Sequence, residues 1–265
     1  MNDLFDLPQR PAKPRDTGVT MGIDSGLPLN YVKDMLEFSS LYLDYVKLGW
    51  GTAAVTQKLK EKVELYRSHN IPVCLGGTFF ELACLQKKVD RFKSLAKQLD
   101  LSLIEISDGT IELAKDEKLE HIRDFSKDFR VLSEFGSKDD QVVHAPSIWV
   151  TRMQEELAAG AWKVIAEGRE SGTAGMYRPT SELRTGLVDE IVLNIPQEKL
   201  LWEAPKKEHQ TWFIKKFGVN VNLGNIQFND LIPLETLRLG LRADTLLHIH
   251  ARPEKNPSKS PPNKR

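Results

Sequence analysis

Apolar residues along this chain recur in two rhythms that take turns. Short, nearly continuous runs rich in Val, Ile and Leu stand at Val19–Ile23, Tyr45–Gly49, Ile71–Leu75, Leu101–Ile106, Arg130–Glu134, Trp162–Ala166, Leu200–Ala204 and Val219–Leu223. Their length and continuity predict strands covered on both faces. After each run, apolar residues return at spacings of three and four, the stripe of an amphipathic helix. The predicted helices begin after Pro28 and then cover Gln57–His69, Phe79–Leu99, Asp116–Phe129, Ile148–Ala159, Ser181–Leu193, Lys206–Phe217 and Asp230–Leu241.

Strand–helix alternation on this scale predicts an α/β fold, a single-domain (β/α)8 TIM barrel over residues 17–250, close to the usual size of about 250 residues. A doubly wound open sheet is the alternative. It would carry a glycine-rich phosphate turn after the first strand, and GIDSGLP lacks the GxGxxG spacing. Residues 1–16 hold three prolines and mixed charge, and 251–265 (ARPEKNPSKSPPNKR) are basic and free of large apolar residues. Both read as flexible tails, the second as disordered, because neither can bury enough surface to offset its ordering entropy.

Charge narrows the partners. With 37 basic and 37 acidic residues the net charge is zero, which argues against nucleic acid as a partner and leaves room for a local pocket for small anions. Cys74 and Cys84 form no CxxC and have no clustered His, so they read as inert thiols in a reducing compartment. With no signal-peptide core and no apolar window of about 18 residues, the expectation is a cytoplasmic protein without a membrane partner.

In a barrel the C-terminal ends of the strands meet at one mouth, where such enzymes keep their sites. This sequence sends Asp24, Lys47, Glu105, Glu134, Glu167 with Arg169, Glu203 and three asparagines (Asn220, Asn222, Asn225) there, with Lys138 just beyond the fifth strand. Lys47, Glu105 and Glu203 sit inside apolar runs, and an ionised group there cannot point at the covering helices without a large desolvation cost. So many carboxylates repel one another unless a cation joins them. With no HExxH and no His near a Cys, a hard oxygen-ligated ion such as Mg2+ is favoured over zinc. Lys47, Lys138 and Arg169 would serve anionic groups. The small residues of SGTAG (Ser171–Gly175) and LGN (Leu223–Asn225) leave backbone N–H groups open to a phosphate.

The stretches KPRDTGVTMGID, DYVKLGWGT, GGTFFE, LIEISDGT, VLSEFGSKD, KVIAEGRESGTAG, LLWEAPKKEHQ, VNVNLGNI and LETLRLGLRADT, spanning Lys13 to Thr245, resemble the phosphosulfolactate synthase family. These are barrel enzymes that add sulfite to phosphoenolpyruvate, and the family extends to heat-stress-associated plant proteins. The resemblance implies a Mg2+-dependent carbon–sulfur lyase acting on phosphoenolpyruvate and sulfite, a step shared by coenzyme M synthesis and sulfolactate production. It implies Lys138 as the general acid. Glu105, Glu134, Glu167 and Asp24 are then candidates for the metal sphere, and Arg169 and Lys47 for the substrate's anionic groups. Ser171, Gly172, Gly224 and Asn225 are candidates for phosphate, and Glu203 for orienting Lys47. Two other readings stay open: a non-catalytic, partner-binding barrel of the same family, and a lyase using another nucleophile or enol phosphate. Homo-oligomers are common among such barrels, but no interface signature is legible.

Overall fold

The computed structural model describes residues 4–139, 141–169 and 171–251. Eight strands form one parallel sheet: β1 (Thr20–Asp24), β2 (Tyr45–Leu48), β3 (Val73–Leu75), β4 (Leu103–Ser107), β5 (Arg130–Phe135), β6 (Lys163–Ala166), β7 (Leu200–Glu203) and β8 (Leu223–Ile226). Their order, β3-β2-β1-β8-β7-β6-β5-β4, curls the sheet round so that β3 comes to lie against β4. The described residues form ten α-helices: α1 (Leu29–Ser39), α2 (Leu59–Ser68), α3 (Gly77–Leu85), α4 (Val89–Gln98), α5 (Lys115–Phe125), α6 (Pro146–Ala158), α7 (Thr185–Asn194), α8 (Lys207–Phe217), α9 (Leu231–Arg238) and α10 (Ala243–His250). The fold is the expected (β/α)8 barrel, and the open sheet is excluded.

Side chains alternate across the strands, with a period of two. One set, including Val46, Ile104, Val131, Val164 and Trp202, packs outward under the helices. The other, Met21, Tyr45, Cys74, Leu103, Leu132, Ile165 and Leu201, fills the barrel interior. Two residues beyond five of these inner side chains come Lys47, Glu105, Glu134, Glu167 and Glu203, all buried. An apolar plug therefore fills the lower barrel, and a charged layer lies above it on the same inward face.

No ladder pairs β3 with β4 among the described residues. Side chains bridge that seam instead. The Gly77 N–H, at the start of α3, donates to Glu105 Oε1 of β4 at 2.7 Å, and Ser107 Oγ of β4 meets Glu81 Oε1 of α3 at 2.8 Å.

Four expectations change. The helix predicted over Phe79–Leu99 is two, because Lys87 takes a left-handed backbone with φ 54° between α3 and α4. The last strand is Leu223–Ile226, displaced toward the C-terminus from Val219–Leu223. Asn220 and Asn222 consequently lie at the floor of the barrel: Asn222 Oδ1 accepts the Val19 N–H at 3.0 Å, and its amide donates to Leu200 O at 2.9 Å. An additional helix, α10, follows the last predicted one.

The fourth change concerns the stretch read as a flexible N-terminal tail, which is tied to the barrel from Arg10 onward. Arg10 pairs with Glu235 at 2.9 Å, Lys13 caps the Ser40 carbonyl at 2.9 Å, and Arg15 takes both oxygens of Asp44 at 3.0 Å. The expected C-terminal tail lies outside the described residues apart from Ala251. Among the described residues no helix is long and apolar enough to cross a membrane.

Candidate active site

The charged layer opens into a cavity of about 420 Å3 at the C-terminal ends of the strands, lined among others by Lys47, Glu105, Glu134, Lys138, Glu167, Arg169, Glu203 and Asn225. Of the residues expected here, these eight come together. Lys47 sits deepest, with Nζ 3.0 Å from Glu203 Oε1, 3.1 Å from Glu105 Oε2 and 3.6 Å from Glu134 Oε2. Lys138 reaches in from the loop after β5, with Nζ 2.8 Å from Glu134 Oε1, 2.9 Å from Ser107 Oγ, 3.4 Å from Glu81 Oε1 and 3.6 Å from Glu167 Oε2. Arg169 stands at the rim, where its guanidinium donates to Lys138 O at 3.2 Å and its N–H to Glu167 Oε1 at 2.5 Å.

Burial would lower both lysines, but the surrounding carboxylates outweigh it: Glu105, Glu203 and Glu134 hold Lys47, and Glu134, Glu167 and Glu81 hold Lys138, well above the ordinary lysine range. The acids divide. Burial would raise Glu134, yet Lys138 and Lys47 win and keep it ionised below the usual carboxylate range. Burial, with Lys47 opposing, pushes Glu105 up to about 7. Burial and then the charges of Glu134 and Glu203 push Glu167 well above its ordinary value.

These acids fit a hard cation. One carboxylate oxygen each from Glu134, Glu167 and Glu203 lie within 4.8 Å of one another, and Glu167 Oε2 is buried with no hydrogen-bond donor. Glu81, Glu105, Glu134, Glu167 and Glu203 share the site with Lys47, Lys138 and the rim residue Arg169, five carboxyl groups against three cations. All the donors are oxygens, the set that suits Mg2+. The triad admits Glu203, which the sequence reading kept for orienting Lys47, while Glu105 is engaged by Lys47 and the Gly77 N–H.

Asp24 does not join. The parity of β1 turns Met21 and Ile23 inward and Asp24 toward the helix layer. There it takes the Tyr66 hydroxyl and the Gly26 and Leu27 N–H groups, each at 2.8 Å, and Lys62 Nζ at 2.8 Å. Its lone pairs are occupied, so it is a structural acid that ties the β1–α1 turn to α2.

Three of the four phosphate candidates also lie elsewhere. Gly224 is inside β8 in the barrel core, its carbonyl accepting from Ala204 N at 3.0 Å. Ser171 and Gly172 are not on the wall of the mouth cavity. Ser171 Oγ bonds Thr173 Oγ1 at 2.7 Å. Gly172 has φ 64°, and a β-carbon there would collide with the His209 ring; Gly175 has φ 61°, and a β-carbon there would collide with the Glu167 carbonyl. The glycines of this motif let the loop wrap closely round its own anchors. Its apolar anchor is Tyr177, stacked on His209 with ring centres 4.0 Å apart, whose hydroxyl donates to the Glu203 carbonyl at 2.7 Å. Asn225 does face the cavity, with φ 56° and a buried Oδ1 that lacks a donor.

Ser107, Trp50 and Glu81 complete the surroundings, and of these Glu81 was not singled out from sequence. Glu81 Oε1 accepts the Thr110 N–H at 3.1 Å as well as meeting Ser107 and Lys138. An acid on the apolar helix face of GGTFFE, 1% exposed, was the available signal.

Comparison with known proteins identifies relatives of one family. A model of the (2R)-phospho-3-sulfolactate synthase family matches residues 8–244. The phosphosulfolactate synthase of Bacillus subtilis (strain 168) is 46% identical over 249 residues, 92% of this chain and 99% of the relative. That of Methanothermobacter thermautotrophicus is 40% identical over 249 residues, 91% and 96% respectively. Among solved structures, 3-hexulose-6-phosphate synthase from Salmonella typhimurium superposes with a TM-score of 0.55 at 9% identity, covering 84% of this chain and all of that one (100%), a likeness of fold alone.

Proposed function

The chain belongs to the phosphosulfolactate synthase family, and from that premise we propose that it adds sulfite to phosphoenolpyruvate in the mouth of the barrel. The observation that carries this reading is the joint geometry of the acid triad and Lys138, whose ammonium lies 2.8 Å from Glu134 in the same cavity.

In the proposed reaction the sulfur lone pair attacks the methylene carbon C3 and forms the C–S bond. The C2–C3 π pair moves into the carboxylate, giving an enediolate. A proton delivered to C2 restores the carboxylate, and the phosphate ester stays intact. The product is phosphosulfolactate, so atoms and charge balance with one proton taken up.

Lys138 is the proposed proton donor. Its neighbours keep it charged at neutral pH, and Ser107 and Glu134 fix its Nζ toward the cavity. Proton transfer of this kind contributes about 10²–10⁴-fold. Arg169 and Asn225 at the rim offer donors to the phosphate or sulfite oxygens, Arg169 with a fork that matches planar anions. Lys47 lies beneath them and fixes the carboxylate groups of Glu105 and Glu203. A Mg2+ held by Glu134, Glu167 and Glu203 would offset the charge that develops on the substrate carboxylate and ease the hold of these acids on Lys138.

The test is sulfite-dependent loss of phosphoenolpyruvate in a purified sample supplied with Mg2+, with the product identified by phosphorus NMR. Loss with another nucleophile and not with sulfite would redirect the proposal to a different addition. No loss with any nucleophile, in a folded protein, would favour a non-catalytic barrel.

A further inference from the structure

The two ends of the barrel differ in charge. Carboxylates are in excess at the mouth, whereas cations collect at the floor, where the strands begin. A cavity of about 480 Å3 opens at the floor, and Tyr45 and Arg130, the first residues of β2 and β5, line it together with Lys13 and Arg15. The acid on its wall is Asp44, and Arg15 already takes both of its oxygens. Among the described residues, the ion pairs within 4.0 Å include none to Lys13 or Arg130. Lys13 Nζ donates to two carbonyls, Ser40 at 2.9 Å and Leu43 at 2.5 Å, and an ammonium has a third hydrogen to give.

Arg130 rests on Trp162, its guanidinium carbon 5.3 Å from the ring centre, and Lys163 Nζ lies 4.6 Å from the same centre. The Tyr45 ring meets Trp162 edge-on at 5.4 Å. Burial pushes Lys163 down to about 8, with Asp16 and Glu198 opposing and Lys199 and Arg130 adding. Lys13 is held below the ordinary lysine value by burial, with Asp44 opposing and Arg15 adding. Lys13 is a half-buried cation without a carboxylate partner among the described residues, a costly state that an anion seated beside it would relieve.

We propose that this floor cavity binds the phosphate group of a small molecule through Lys13, Arg130 and the Tyr45 hydroxyl. An Arg fork beside a Lys is the donor set that recognises phosphate. Pro14, Leu41 and Pro72 supply apolar wall beside it, so the group belongs either to an organic phosphate or to free phosphate. The site is remote from the mouth and does not depend on the reaction assigned there. Its link to the fold is direct: Asp44, held by Arg15, accepts the N–H of Thr20 at 2.8 Å, the first residue of β1.

The experiment is a titration of the full-length, nitrogen-15-labelled chain with inorganic phosphate and, in a parallel arm, with phenyl phosphate, following the indole N–H of Trp162. A saturable shift is expected in the wild type and equally in Lys138→Ala, which alters only the mouth. Removing one charge-assisted contact with Arg130→Ala should weaken the titration about tenfold or more. Arg130 is exposed, so the variant should fold, and Arg130→Gln provides a second version. Tighter binding of phenyl phosphate identifies an organic phosphate as the ligand, and equal binding identifies free phosphate. The proposal is overturned if neither probe moves Trp162 saturably, if Arg130→Ala titrates like the wild type, or if Lys138→Ala abolishes the shift.

Discussion

Lys138 Nζ lies 2.8 Å from Glu134 Oε1, joining a loop residue to the inward face of β5 four positions earlier. If this ammonium delivers the proton to C2, Lys138→Ala should lower kcat by about 10²–10⁴. Lys138→Arg, which keeps the charge but holds its proton more tightly, should rescue folding and substrate affinity without rescuing kcat. Turnover by Lys138→Ala within a few-fold of wild type would remove the lysine from the chemistry.

Lys47 is a stability residue as much as a site residue. Its ammonium is buried among three carboxylates, and Lys47→Met would leave them uncompensated. Breaking a buried pair in this way costs about 3–5 kcal/mol, which should appear as a large drop in denaturation midpoint. Mg2+ should restore part of the loss.

Glu167→Gln removes a charge from the triad while preserving shape. Calorimetric titration with Mg2+ should show affinity reduced about 10-fold or more, with the apo protein no less stable, because the wild-type Glu167 is itself held above the usual carboxylate range. An unchanged Mg2+ affinity would mean that the ion, if bound, sits elsewhere.

Tyr177→Phe deletes the hydroxyl that donates to the Glu203 carbonyl but retains the stack on His209. Loss of a buried hydrogen bond of this type costs about 0.5–1.5 kcal/mol. A shift in the backbone resonances of Glu203 and Gly168, whose N–H donates to Glu203 Oε2 at 2.9 Å, should accompany it. Gly175→Ala should be worse, because the new β-carbon would meet the Glu167 carbonyl and φ is positive.

His209 gives a pH prediction. Burial, partly opposed by its bond to the Ser181 carbonyl, lowers its pKa below the ordinary histidine value of 6.5. Above that value the ring is neutral in both folded and unfolded chains and has no effect. Below it the unfolded chain takes the proton first, so stability falls as pH drops from about 6.5 toward the folded value. Melting curves of His209→Phe should lose this part of the acid sensitivity; identical slopes between pH 7 and 5 would refute the assignment.

Much of this was legible because continuous apolar runs and stripes of period three-to-four leave different marks. The desolvation cost of a charge inside an apolar run pointed Lys47, Glu105 and Glu203 inward, and in the structure the alternation that buries Leu132 and Ile165 turns Glu134 and Glu167 the same way. Asp24 was misplaced for want of the parity count: with Met21 and Ile23 inside, the next residue must face the helices. The β8 error has another cause. VNVNL has strand composition, but Asn222 spends its side chain on Val19 and Leu200 at the floor, and the ladder starts at Leu223, a choice made by tertiary hydrogen bonds. The glycines of SGTAG suggested open backbone for an anion; only the position of His209, distant in sequence, reveals that the space at Gly172 is needed for packing. Glu81 was hidden because a helix residue reaches the mouth across a gap in the sheet.

That gap has its own consequence. Where neighbouring strands elsewhere are stitched by backbone, the joint between β3 and β4 is held by Glu105 and Glu81, the same groups that grip the two lysines. Cavity wall and mechanical closure are one set of atoms on that side, so a substitution there changes both together. Redesign of the cavity has freer ground around Arg169 and Asn225, where the rim can change without unlocking the cylinder.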